Sequence, residues 1–209
     1  VSRLPTQFEI DDAMARMGAE YLVINESNLE VVKTKDIQID LSGVAKGYAV
    51  DEVAVALEDF NIDSYFIEVG GEIKLKGFKP GGEEWLPAIE APGAGTYEIY
   101  EVLSSRGESF SLAGSGDYRN YFEIDGARYS HEIDPRTGRP VTHDLAAAFV
   151  ITESAAEADA LATAFMILGL EESKLVIDRN SISAFLISRV SENHFEHFVT
   201  STFAQYVLK

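Results

Sequence analysis

Residues 40–51 read DLSGVAKGYAVD. Upstream, Ile37, Ile39 and Leu41 alternate with polar residues, a spacing that predicts a strand over residues 36–40. Ser42-Gly43 then signals a turn. From there Val44, Tyr48, Val50, Val53, Leu57 and Phe60 fit a helical period better than a two-residue one, which predicts a helix over residues 43–60. A strand that hands a glycine to a helix N-terminus leaves backbone N–H groups and a partial positive charge facing outward, a natural seat for a phosphate. Lys46, in the first turn, adds a full positive charge. The plain alternative is an ordinary strand–turn–helix with a solvated lysine. Neither the P-loop spacing nor the dinucleotide-binding glycine fingerprint is present.

An anion would need such a local cation, because the chain as a whole is acidic. It carries 17 Lys and Arg against 35 Asp and Glu, a formal net charge of −18. Nucleic acid binding through the general surface is excluded on that balance, since it depends on clustered basic residues. The absence of cysteine removes disulfides, thiolate metal sites and a cysteine nucleophile. With 209 residues, 46% of them hydrophobic, the chain can bury a sizeable core. No apolar run approaches the length of a membrane span. The first residue is Val, not Met, and the chain is expected to be a processed or trimmed product.

In chain order, a short helix is expected over residues 7–17, with Phe8, Ile10, Ala13, Met14 and Met17 available to its buried face. Strands are expected over residues 21–24 and 30–32, around a turn at 25–28. Two further strands, 64–69 and 72–76, meet at Gly70-Gly71, a tight-turn signal. Others follow over 85–91, 97–103, 110–112, 118–124 and 128–131, with a turn at 92–95 and a hairpin signal at Asp125-Gly126. Residues 145–152 form an apolar run expected to be covered on both faces. An alanine-rich helix over 154–168 starts with Ser154 and Glu157 in capping-box positions and ends at Gly169. A second helix over 171–178, a strand over 183–188 and docked strands over 197–208 complete the chain. Antiparallel runs of strands with inserted helices make this an α+β pattern. No linker is marked, and residues 1–209 read as one stretch of a single domain.

Two more stretches carry chemistry. Residues 130–140, SHEIDPRTGRP, hold His131, Glu132, Asp134, Arg136 and Arg139 around the turn dipeptides Asp134-Pro135 and Thr137-Gly138. His131 is the one side chain of this loop able to titrate near neutral pH without a large shift; a solvated charged turn is the alternative. Within the alanine-rich helix, Asp159 and Thr163 stand four apart on one face. A carboxylate and a hydroxyl so placed offer two oxygen ligands to a hard cation, Mg²⁺ or Ca²⁺ and not zinc. The alternative is an exposed Asp and a Thr bonded back to its own helix.

Taken together, DLSGVAKGYAVD, VGGEI (residues 69–73), GSGDYRNYF (114–122), HEIDPRTGRPV (131–141) and ADALATA (158–164) resemble the ApbE family, the FAD:protein FMN transferases. The resemblance implies an ApbE-like (T-fold-like) α+β architecture. It implies FAD as substrate, a divalent ion, usually Mg²⁺, and transfer of FMN to a Ser or Thr of an acceptor protein with release of AMP. It implies that Asp40, Lys46 and the backbone at Ile133 contact FAD. Metal ligation by the Gly43 carbonyl, Asp159 and Thr163, and a base role for His131, follow from the same resemblance. The acceptor would be a membrane redox subunit, and the enzyme a periplasmic lipoprotein. Hydrolysis of FAD to FMN and AMP, or FAD binding without turnover, are the competing functions.

One motif departs from the family: Gly114-Ser115-Gly116 stands where the family usually has Thr-Ser-Gly. The family pattern also begins earlier than Val1, with a segment that supplies part of the flavin-ring pocket. The chain is therefore expected to represent the central and C-terminal part of the family domain and to bind FAD more weakly than a longer member.

Overall fold

The computed structural model describes residues 3–93, 98–117, 121–124, 127–191 and 194–208. Helix α1 (Gln7–Met14) precedes strands β1 (Leu22–Asn25) and β2 (Glu30–Lys33) and helix α2 (Ala45–Asp59). Strands β3 (Tyr65–Val69), β4 (Glu72–Lys76), β5 (Ala88–Glu90), β6 (Ile99–Val102) and β7 (Phe110–Gly116) come next. Then follow β8 (Tyr121–Ile124), β9 (Ala127–Ser130), β10 (Ile133–Asp134), β11 (Arg139–Pro140) and β12 (Leu145–Thr152). Helix α3 (Ala155–Asn180), β13 (Ser183–Ser191), β14 (His194–Val199) and α4 (Ser201–Ala204) end the sequence of elements. The expected α+β class with antiparallel pairing is what forms. The chain divides into two compact units, one of Val1–Leu41 with Tyr121–Thr142, the other of Ser42–Asn120 with His143–Lys209.

In the first unit, α1 opens on a reciprocal cap. Glu9 N–H donates to Thr6 Oγ1 (3.3 Å) and Thr6 N–H donates to Glu9 Oε2 (2.8 Å), so two helix-end donors are satisfied at once. The bond from Arg3 and those from Thr6 hold the Glu9 carboxyl down at about 2. The helix is shorter than expected and buries only Ile10 among its own residues. Phe8 is 79% exposed, because the face in use carries Ile10 and Met14 against Gly138. At that glycine (φ +66°) a Cβ would lie 2.7 Å from Ile10 Cγ2. Strands β1 and β2 form an antiparallel hairpin from Leu22↔Lys33 to Asn25↔Glu30. The strand expected over residues 36–40 does not form. Ile37 N–H bonds to Lys35 O, and Lys33 Nζ donates to Ile37 O. Alternation without a ladder partner makes no strand, although Ile37 is buried.

The second unit is built on a six-stranded antiparallel sheet in the order β14-β13-β12-β7-β4-β3. Gly70 (φ +62°) and Gly71 (φ +104°) make the expected turn between β3 and β4, using a backbone that L-residues rarely adopt. Strand β12 is central and buried on both faces, as its apolar run predicts. Ala147, Phe149 and Ile151 face a cluster with Leu75, Phe110, Phe185 and Phe203, while Ala148 and Val150 face Phe165 and Met166 of α3. A register shift between Leu145 and Ala147 puts Leu145 on the α3 side as well.

Helix α3 carries the expected break at Gly169 (φ 76°, ψ 176°), so the two expected helices stand end to end. Ser154 Oγ caps it at Glu157 N–H (3.2 Å), and the N–H groups of Ala155 and Ala156 are bound by Asp51, described below. The tail differs from expectation: β14 is followed by α4, which Thr200 caps, and only a Leu103↔Val207 bridge continues as strand. The strand expected at 85–91 narrows to β5, since Trp85 N–H bonds Ser105 Oγ. Asp125-Gly126, Tyr97, Tyr118 and part of the turn at 92–95 lie outside the described residues.

Candidate functional site

Helix α2 begins at Ala45, after a turn at residues 42–44, with Val44 as an N-cap that offers no side-chain bond. Its buried face follows the expected apolar stripe only in part, at Val50 and Leu57. Gly47, Val50 and Ala54 are buried, whereas Tyr48 is 57% and Phe60 79% exposed. Close packing against the start of α3 is the reason. A Cβ on Gly47 would stand 2.1 Å from Ala155 O, so the contact face is marked by small residues instead of large ones. Gly47→Ala should therefore destabilise the fold by about 1–3 kcal/mol, measured by denaturant unfolding; an unchanged midpoint would rule out this contact.

That approach brings three of the expected site residues together, Gly43, Asp159 and Thr163, with Lys46 in the same helical turn. Gly47 N–H donates to Asp159 Oδ2 (3.0 Å), and Asp159 is only 3% exposed. One helix turn on, Thr163 lies against Gly43, where a Cβ would be 3.3 Å from Thr163 Cγ2 and 3.5 Å from its Oγ1. Thr163 Oγ1 is 3.4 Å from Ser115 Oγ on β7, so it turns to a neighbouring strand. The small residue at Gly114 has its own packing reason, since a Cβ there would be 2.5 Å from the Phe149 ring. Asp159 and Thr163 thus share a face of α3 that meets the first turn of α2, as their spacing predicts.

Of the N–H groups expected to be free at this helix start, that of Gly47 is used by the same bond. The N–H of Gly47 is already taken by Asp159, a buried carboxylate placed where the helix end favours negative charge. Lys46, the expected phosphate contact, has its Nζ 2.5 Å from Glu72 Oε1. Burial pushes the Glu72 carboxyl above its usual range, more than the Lys46 bond and charge pull it down, and the Asp159 charge adds to the push.

Asp51, one turn beyond Lys46, binds the other end of this arrangement. Its carboxylate accepts from Ala155 N–H (3.0 Å), Ala156 N–H (3.0 Å) and Ser154 Oγ (2.8 Å) at the start of α3. It also pairs with Lys74 Nζ at 2.7 Å. Burial opposes ionisation here, but the bonds from Lys74, Ala156, Ala155 and Ser154 outweigh it and hold the Asp51 carboxyl below its usual value. The stabilisation is then present above the usual aspartate value of 3.8 and is lost as pH falls through the lower folded value. Asp51→Ala should cost about 0.5–2 kcal/mol at neutral pH as a lost helix cap. The difference from the parent should shrink in acid unfolding curves; a difference independent of pH would contradict the assignment.

The remaining site residues belong to the first unit. Asp40 is exposed, in the segment before α2. His131 is exposed between β9 and β10, after Ser130, whose Oγ accepts from Glu132 N–H (3.1 Å). Ile133, 43% exposed, pairs with Pro140, and Asp134 pairs with Arg139. Asp134 fixes the turn: its Oδ1 accepts from Arg136 N–H (2.8 Å), and its carbonyl accepts from Gly138 N–H (2.8 Å). The loop is the rigid one that its turn dipeptides predict.

For a hard cation, Asp159, Thr163 and the Gly43 main chain form an oxygen-only donor set around a cradle that a Cβ at Gly43 would crowd. Among the described residues no group of three or more His, Cys, Asp or Glu suits a metal ion. One carboxylate is sparse for a protein-only cage and fits an ion that shares its shell with water and ligand phosphates.

The ApbE family model matches residues 1–186. The chain belongs to the ApbE family. It is 38% identical over 206 residues to the FAD:protein FMN transferase of Vibrio cholerae, covering 99% of this chain and 60% of that protein. It is 36% identical over 209 residues to the FAD:protein FMN transferase of Escherichia coli, covering 99% of this chain and 59% of the relative. Among solved structures, the apo flavinyl transferase ApbE of Pseudomonas stutzeri superposes with a TM-score of 0.85 at 39% identity, over 98% of this chain and 62% of that one. The ApbE protein of Thermotoga maritima gives 0.84 at 30%, over 99% and 65%. The ApbE chain thus spans about 60% of the length of the curated relatives it matches. Within it, Glu72, Asp51 and Lys74 were not singled out from sequence. The local sign of Glu72 is its place as a carboxylate directly after the two-glycine turn in VGGEI.

Proposed function

We propose that this ApbE chain takes FAD as substrate and transfers FMN to a Ser or Thr hydroxyl of an acceptor protein, releasing AMP. The observation that carries the reading is the meeting of Gly43, Lys46, Asp159 and Thr163 at one helix start, in a family whose relatives are named for this reaction. In the reaction, the acceptor oxygen forms a bond to the phosphorus on the FMN side. The pyrophosphate bridge breaks, AMP leaves with its phosphate, and the hydroxyl proton passes to a base, which we assign to His131. Lys46 offers positive charge to the pyrophosphate, and Asp40 and the Ile133 backbone contact FAD. Asp159, Thr163 and the Gly43 carbonyl would hold Mg²⁺, which when bound supplies the positive charge that a −18 chain otherwise lacks. The acceptor is a membrane redox subunit, and the site of action is the periplasm, with the enzyme held as a lipoprotein. Among the described residues no helix is long and apolar enough to cross a membrane.

The deciding experiment incubates the chain with FAD, Mg²⁺ and a flavinylation-site peptide, and follows both AMP and peptide mass. Transfer adds FMN to the peptide in step with AMP. AMP with free FMN and no mass gain indicates hydrolysis, and no AMP at all overturns the enzymatic reading.

A further inference from the structure

We propose that Glu72 is a positioning residue for Lys46, with the Gly70-Gly71 turn as the track along which the lysine stem lies. This inference rests on the proposed role of Lys46 toward the pyrophosphate. Glu72 is the first residue of β4 and is 1% exposed, while the Lys46 side chain is 44% exposed. The pairing therefore joins a buried carboxylate to a cation that still reaches solvent, with Nζ 2.5 Å from Oε1. The other oxygen, Oε2, is buried and has no hydrogen-bond partner among the described residues. A buried carboxylate so sparsely satisfied is held mainly by its lysine, and the lysine in turn is confined by it.

Gly70 supplies the geometry. At its positive φ a Cβ would stand 3.0 Å from Lys46 Cδ and 3.7 Å from Glu72 Oε2. The stem thus passes directly over backbone that carries no side chain. Two glycines are needed there for different reasons, Gly71 for the turn alone, since a Cβ on it would meet nothing within 4 Å. Strand β4 also holds Lys74 on Asp51, so α2 is tied to β4 at two points, Lys46 and Asp51. An ammonium on a flexible four-carbon stem is a poor fixed charge on its own, and this arrangement restricts it.

The test has two arms on the intact chain. The first measures acetylation of Lys46 by a small amine-reactive ester, quantified by peptide mass spectrometry. Glu72→Gln should accelerate labelling of Lys46 several-fold while other lysines are unchanged. Gly70→Ala should do the same without removing either charge, so the result does not hang on one variant. Equal labelling in parent and variants would overturn the proposal. The second arm follows FAD-dependent AMP release. Glu72→Gln should lower kcat by about 10–100-fold with KM for FAD little changed. In a Lys46→Met background the same substitution should have almost no further effect. Additive losses would mean that Glu72 acts other than through Lys46. A parent chain that releases no AMP would reject the transferase reading, and the labelling arm would still decide the role of Glu72.

Discussion

Asp159→Asn is expected to fold normally and lose metal-dependent AMP release by about 10²–10³-fold, the scale for removing one preorganised charge-stabilising group. The choice of Asn over Ala follows from the Gly47 bond. Asp159 Oδ2 accepts a buried main-chain N–H, so truncation to Ala would orphan that donor at the start of α2 and cost about 1–3 kcal/mol. An Ala variant would then lose activity for a reason unrelated to metal. The amide oxygen of Asn can still accept from Gly47, while the charge that attracts a cation is gone. Turnover should be measured against Mg²⁺ concentration, beside a denaturant curve. The parent should saturate at a Mg²⁺ level where the variant shows almost no rate. Full activity of Asp159→Asn at limiting Mg²⁺ would remove Asp159 from the ligand set.

How the two helices come to share that site was only partly legible from sequence. The i, i+4 pair Asp159 and Thr163 was visible because helical spacing is local, and so was the break at Gly169. Burial of β12 on both faces followed from its unbroken apolar run. The face of α2 was visible only in part. Tyr48, Val53 and Phe60 gave the larger apolar signal, yet the packed face is Gly47, Val50 and Ala54, because two helices that approach this closely leave room only for small side chains. Pattern reading weighs apolar bulk, which here finds Val50 and Leu57 on the packed side but also picks out the exposed Tyr48, Val53 and Phe60.

The other omissions share a cause. Asp51 joins residues 103 to 105 positions away, and Glu72 meets Lys46 across 26. Neither partner carries a local signal of the other. In the same way, alternation over residues 36–40 predicts a strand but says nothing of whether a neighbour is there to bond it. The chain instead closes its own bonds at Lys33, Lys35 and Ile37. Sequence periodicity reports which face a residue would take within an element; long-range pairing decides whether the element forms.

His131→Ala is expected to lower the transfer rate by about 10²–10⁴-fold while FAD binding is little changed. A Ser or Thr hydroxyl is a weak nucleophile until its proton is removed as it attacks phosphorus. Within the loop the competitors are already committed. Asp134 accepts from the Arg136 main chain and guanidinium, and that pair closes the turn. Arg136 cannot serve as a base. Glu132 is buried, out of reach of a hydroxyl that arrives from solvent. His131 is exposed at the base of the turn, directly before the strand pairing of Ile133 with Pro140, so its backbone is fixed while its ring can be reached by a protein acceptor. The measurement is single-turnover FMN transfer to an acceptor peptide, with FAD affinity taken separately by calorimetry. Added imidazole should restore part of the lost rate in the Ala variant, because a missing base can be replaced by a diffusible one whereas a collapsed loop cannot. A normal rate in His131→Ala would move the base to another residue, and a parallel loss of FAD binding would make His131 a binding residue instead.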